Sequence, residues 1–135
     1  MTPSVVAGAR VVIAAAEAPE TSSGDVVLFA CHPYPVLHRV LHVARVRERV
    51  VVFHRGDAGG VFGVVDGSTV LGKVVAVLSP EAGPAPALHT LPPRIQRSFR
   101  RARWLARFAA LALRLGLRRS ALPGWMRTAT ERLLP

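Results

Sequence analysis

The residues whose types and spacing could do chemistry cluster around His38. The stretch Pro35 to Val46 reads Pro-Val-Leu-His-Arg-Val-Leu-His-Val-Ala-Arg-Val, and a second fixed point, Gly56-Asp57, follows the apolar run Val50 to Phe53. A neutral imidazole can take a proton from a hydroxyl when its other nitrogen is held by an acceptor, and a carboxylate acceptor also stabilises the imidazolium that forms. Asp57 and Asp66 are the only carboxylates after Glu48 within residues 1–78, so either could orient His38, and the sequence does not choose between them. The expectation is that His38 and an aspartate meet across neighbouring strands. Two weaker constellations compete. Cys31 with His32 or His38 could form a thiol nucleophile pair, though a lone cysteine is more often an inert buried residue. His38 and His42 could share a metal, but no carboxylate or cysteine cluster accompanies them, so neither a metal nor a cofactor is expected.

These groups need a scaffold, and the pattern of apolar residues supplies one. Val36, Val40, Val43 and Val46 favour extended backbone, and a loose period of two places His38, Val40 and His42 on one face of a strand. Further strands are expected from Arg10, over Asp25 to Ala30, over Val50 to His54 and over Val70 to Leu78. A turn-rich segment covers Glu17 to Gly24, Arg47-Glu48-Arg49 makes a polar turn, and Gly56 to Gly60 makes a glycine-rich loop. Five or six short strands with tight turns predict a mainly β domain over residues 1–78, barrel-like or coiled. Residues 79–93 hold five of the eleven prolines and read as an extended linker.

Charge divides the chain at the same place. The net charge is +10, yet residues 1–90 hold seven basic and seven acidic side chains, while residues 91–135 hold eleven arginines and one acid, Glu131. A basic amphipathic helix is expected from near Pro93 to near Arg119-Ser120, within a tail of residues 94–135. On it Arg100, Arg103, Arg107, Arg114 and Arg118 share one side, and Trp104, Leu105, Phe108, Leu111, Ala112, Leu113, Leu115 and Leu117 cover much of the rest. The apolar arc could pack on the β body or lie in a membrane interface with arginines reaching head groups. An anionic membrane surface is therefore an expected partner, membrane association the expected location, and nucleic acid the less favoured anion. No run approaches the ~20 apolar residues of a membrane-spanning helix. The one cysteine excludes an internal disulfide framework.

Several short pieces, taken in order, resemble a known family. Met1-Thr2-Pro3-Ser4 with Gly8, Gly24-Asp25-Val26-Val27-Leu28-Phe29, Leu37-His38-Arg39-Val40, Phe53-His54-Arg55-Gly56-Asp57 and Gly72-Lys73-Val74-Val75 are similar to type I signal peptidases. These belong to a wider group of serine peptidases that includes the LexA-like self-cleaving repressors. The resemblance spans roughly residues 1–78. It implies the histidine branch of the family, with His38 as general base and Asp57 or Asp66 completing a Ser-His-Asp site. The gap from Asp57 to Asp66 is wider than that branch suggests, so the third member stays open.

The family's serine immediately precedes the methionine of a Ser-Met-x-Pro motif, and that methionine corresponds to Met1 here, so the nucleophile is missing from this sequence. Two expectations follow: a start upstream with any anchor, or a product that begins here and is inactive as a hydrolase. Ser4 matches the position after the proline and is not promoted to nucleophile; Ser22 and Ser23 lie in a turn. Lys73, the only lysine, reads as structural. The implied substrate is a secreted or membrane precursor polypeptide with small residues before the cut. The alternatives are a non-catalytic module with the peptidase shape that binds membrane or a partner through its cationic tail, and a DNA-associated relative of the repressors.

Overall fold

The computed structural model describes residue 5 and residues 8–31, 33–57, 62–78 and 93–115, the first three of the last range by backbone alone. Of the linker expected over residues 79–93 only Pro93 is among these residues, and residues 116–135 of the tail, Arg118 among them, lie outside them. The body is mainly β, followed among the described residues by one helix, as the apolar pattern implied. Six strands, β1 (Arg10–Ala14), β2 (Val26–Phe29), β3 (Val36–Val46), β4 (Arg49–Arg55), β5 (Phe62–Asp66) and β6 (Val70–Leu78), form one antiparallel sheet in the order β1-β6-β2-β3-β4-β5. Phe62–Asp66, which sequence reasoning did not assign to a strand, becomes an edge strand.

The sheet is open, with β1 and β5 at its edges, but it cannot be flat. A single 3-10 turn, Gly67–Thr69, joins β5 to β6, although β4, β3 and β2 lie between them in the sheet. Four strand spacings would separate β5 from β6 by about 19 Å in a flat sheet, while the four steps from Asp66 to Val70 reach at most about 14 Å. The sheet therefore curls towards a barrel without closing. The amide of Ala30 donates to the Thr69 carbonyl at 2.7 Å and ties the turn to the end of β2. The turn also presses on a second 3-10 turn, Ala18–Glu20, so closely that a Cβ at Gly67 would stand 2.8 Å from the Ala18 methyl.

The curl creates two apolar layers. On the inner side Ala18, Val27, Phe29, Val40 and Val52 are buried, with Val36, Val43, Val50, Val65 and Val70 around them. On the outer side of β3, β4 and β5, Leu41, Ala44, Val46, Val51, Phe53 and Val64 meet the helix α1 (Pro93–Arg114). The helix contributes Ala102, Ala106, Ala109 and Ala110, small side chains that let its backbone approach the sheet. Two hydrogen bonds hold it at its ends: Arg55 Nη1 donates to Ser98 Oγ at 2.9 Å, and Arg114 Nε donates to the Arg45 carbonyl at 2.9 Å.

The β3–β4 hairpin turns at Arg47-Glu48, where Arg47 adopts a φ of 54°, in the left-handed region. From Val46 opposite Arg49 to His42 opposite Phe53 the pairing is regular. Between His42 and Val40 the register slips by one residue at Leu41, so that Val40 faces His54 and Arg39 faces Arg55. This bulge corrects the expected grouping of His38, Val40 and His42 on one face, because an extra residue in one strand flips the side chains beyond it. His42 stacks on Phe53 in the helix-side layer, whereas Val40 belongs to the inner layer and His38 to the same side as Val40.

Ala106 has no exposed surface in the α1 contact. Ala106→Leu is expected to lower unfolding free energy by ~1–3 kcal/mol through overpacking, whereas Leu111→Ala, on the half-exposed side, costs less than about 1 kcal/mol. Denaturant unfolding checks both; an Ala106→Leu protein as stable as the parent would contradict this docking of the helix.

Candidate functional site

His38 lies on β3 opposite Val27 of β2, and the register shift at Leu41 brings it beside His54 of β4. The two imidazoles approach through Nδ1, at 2.8 Å, with ring centroids 4.9 Å apart. His54 is the deeper member. Its ring lies 4.8 Å from that of Phe29, and the backbone of Gly63 on β5 lies directly beneath it, so that a Cβ at Gly63 would collide with the imidazole. No other residue type could occupy Gly63 with His54 in this position.

Burial fixes the protonation of the pair. Desolvation lowers the pKa of His54 from its ordinary 6.5 to about 4, with the neighbouring His38 acting in the same direction. Desolvation also lowers the pKa of His38, and the negative charge of Asp57 opposes that shift. Both rings are therefore neutral near pH 7. An Nδ1-to-Nδ1 contact at this distance requires one nitrogen to carry the proton and the other to offer its lone pair. Where His38 is the donor, its Nε2 keeps a lone pair and can accept a proton; where His54 is the donor, His38 Nε2 carries the hydrogen.

Asp57 does not bond His38 among the described residues. Its carboxylate is held by Arg39, which donates from Nε to Oδ1 at 2.8 Å and from Nη2 to Oδ2 at 2.6 Å, while Arg39 Nη1 donates to the Gly24 carbonyl at 2.6 Å. The Arg39 side chain is 1% exposed and that of Asp57 12%, so this is a nearly buried, bidentate ion pair. It ties the middle of β3 to the turn before β2 and to the loop after β4. Asp57 thus reaches His38 only through its field.

Asp66 stands elsewhere. It ends β5 opposite Val51, three residues along from the Gly63–His54 pair, about 10 Å at the rise of a strand. Its carboxylate accepts from the Ser68 amide at 2.9 Å and the Ser68 hydroxyl at 2.8 Å, capping the Gly67–Thr69 turn. Those bonds, the backbone one foremost, lower its pKa. Its surroundings are a cap, remote from the histidine pair.

Cys31 is exposed and in no disulfide. His42 has its pKa lowered by burial first and then by Arg107, Arg114 and Arg103 of α1, which sets it in the helix contact. Lys73 Nζ lies 3.6 Å from Asp25 Oδ2, a cross-strand ion pair. Ser23 Oγ donates to the Leu41 carbonyl, Ser68 bonds Asp66 and Ser98 accepts from Arg55; none of the described serines bonds His38. Among the described residues no group of three or more His, Cys, Asp and Glu side chains is arranged to hold a metal.

Sequence reasoning missed His54 and Arg39 as partners, although both stand in the motifs that drew attention to His38 and Asp57. The signal for His54 was its parity with Val50 and Val52, which puts it on the inner face.

A base whose pKa is depressed on folding stabilises the folded state above its unfolded pKa, and that stabilisation is lost as pH falls towards its folded pKa. His54 is expected to contribute up to about 3 kcal/mol that disappears between pH 6.5 and about 4, and His38 and His42 act in the same sense. Urea unfolding across that window checks this, and a flat profile would contradict the burial of His54. No protein-family model, curated protein or solved structure matches the chain.

Proposed function

We propose that this chain is the β domain of a signal-peptidase-like serine endopeptidase, with His38 as general base and His54 as the residue that positions it. The observation that carries this reading is the His38 ring held through Nδ1 at 2.8 Å; in the tautomer where that nitrogen donates to His54, Nε2 can take a proton from an attacking hydroxyl. In the reaction a serine oxygen attacks the scissile carbonyl, its proton passes to His38 Nε2, and the leaving amine recovers that proton before water releases the acyl group. His54 takes the orienting place usually held by a carboxylate. It supplies an acceptor and no charge, so stabilisation of the imidazolium falls to the field of Asp57, itself shared with Arg39. In this reading the nucleophile comes from outside the described residues. Substrates are precursor polypeptides bound in extended form along a strand.

A second reading has its own support: both Asp57 oxygens are engaged by Arg39 and no described serine bonds His38, an arrangement that suits a non-catalytic module retaining the shape. Cleavage of a secretory precursor by the full-length gene product separates the two. For the enzyme, His38→Ala is expected to lower kcat at least about 100-fold with the melting transition retained. His54→Ala is expected to lower kcat less and to shift the pH-rate profile, since the base loses its holder. Cleavage unchanged in His38→Ala removes His38 from the mechanism, and no cleavage by the parent protein favours the non-catalytic module.

A further inference from the structure

The two apolar sides of α1 are unlike each other. The side on the sheet carries alanines, whereas Trp104, Phe108, Leu111 and Leu115 point away from it and are 62%, 50%, 50% and 67% exposed. At 100° per residue these four fall within about 60° of one another, with Leu105 at their margin, and the alanine side lies roughly opposite. Trp104 and Phe108 pack on each other with ring centroids 4.1 Å apart, making one continuous apolar ridge. Arg97, Arg100, Arg101, Arg103 and Arg107 are exposed around and beside it, and the helix contains no acidic residue. The helix cannot roll to bury the ridge, because the alanine contact and the Arg55–Ser98 and Arg114–Arg45 bonds fix its orientation.

We propose that this outward face of α1 docks the domain on an anionic phospholipid bilayer, lying parallel to the surface. Charge complementarity selects the occupant. Arginines flanking a central aromatic and aliphatic ridge match an interface in which the ridge enters the acyl boundary and the guanidinium groups reach lipid phosphates. Nucleic acid would satisfy the arginines and leave the ridge against a hydrated groove. The ridge from Trp104 to Leu115 runs about 17 Å, enough for peripheral attachment; among the described residues no helix is long and apolar enough to cross a membrane. Docking by α1 would set the inner face of the sheet, with His38 and His54, on the side away from the lipid. The inference stands whether or not His38 is a base.

Vesicle flotation with the whole chain tests it, using phosphatidylcholine vesicles with and without about 30% phosphatidylglycerol at about 50 mM salt. Binding is expected to the anionic vesicles only, and to fall at high salt. In a Trp125→Phe background, which leaves Trp104 as the only tryptophan, the emission is expected to shift to the blue on binding. The double variant Trp104→Ser, Phe108→Ser, altering exposed positions, is expected to keep its circular dichroism and bind at least about tenfold more weakly. Arg100→Glu with Arg101→Glu is expected to abolish flotation. No flotation of the parent protein, equal flotation of the double variant, or binding of duplex DNA or an acidic protein without vesicle binding would each overturn the proposal.

Discussion

One extra residue in β3 decides which side chains meet. Around the Arg47-Glu48 turn the hairpin is regular as far as His42 opposite Phe53, and a regular continuation would set His38 across from Asp57. The slip at Leu41 places Val40 opposite His54, and extending that register carries Asp57 to the face of Arg39 instead. The carboxylate then meets a guanidinium that is 1% exposed, and the imidazole meets a second imidazole. Neither member of the ion pair is replaceable alone, since removing one leaves an uncompensated buried charge, at a cost of roughly 3–5 kcal/mol. The Gly24 carbonyl, accepting from the same guanidinium, makes Arg39 the junction of three chain segments.

The same slip separates the histidines by environment. His38 and His54 sit on the inner face, where desolvation governs both and the charge of Asp57 opposes it at His38. His42, turned to the outer face, is governed by burial and by the arginines of α1. A β-bulge thus converts one run of histidines into a buried polar pair and a helix-contact residue. The curl imposed by the short Gly67–Thr69 connection gives the pair its depth, because it folds β5 and Gly63 under the His54 ring.

Much of the fold was legible in the sequence, since Val-rich runs bounded by turn residues mark β1, β2, β3, β4 and β6. Phe62–Asp66 was harder to see because Gly63 interrupts the run, and that glycine is there to clear the His54 ring. The bulge left a faint mark: Val36 and Val40 share a parity that Val43 breaks, an odd step that a strict alternation does not allow. Reading through it put His42 beside His38 and Asp57 within its reach. On α1 the arginines were legible from spacing, but the buried part of the sheet contact falls to four alanines, with Phe99 and Leu113 only partly buried against it, because close approach to a sheet selects small side chains. His38 was legible as a centre of interest. Its partner was not, because pairing across strands depends on register, which a single sequence specifies only weakly.

The site depends on His38 bonding His54 and not a carboxylate. Ring-nitrogen NMR of the protein labelled with ¹⁵N-histidine tests it directly. A coupling across Nδ1 of His38 and Nδ1 of His54, with both rings neutral at pH 7, is the result expected. No such coupling, with His54 titrating near its ordinary value of 6.5, would contradict it.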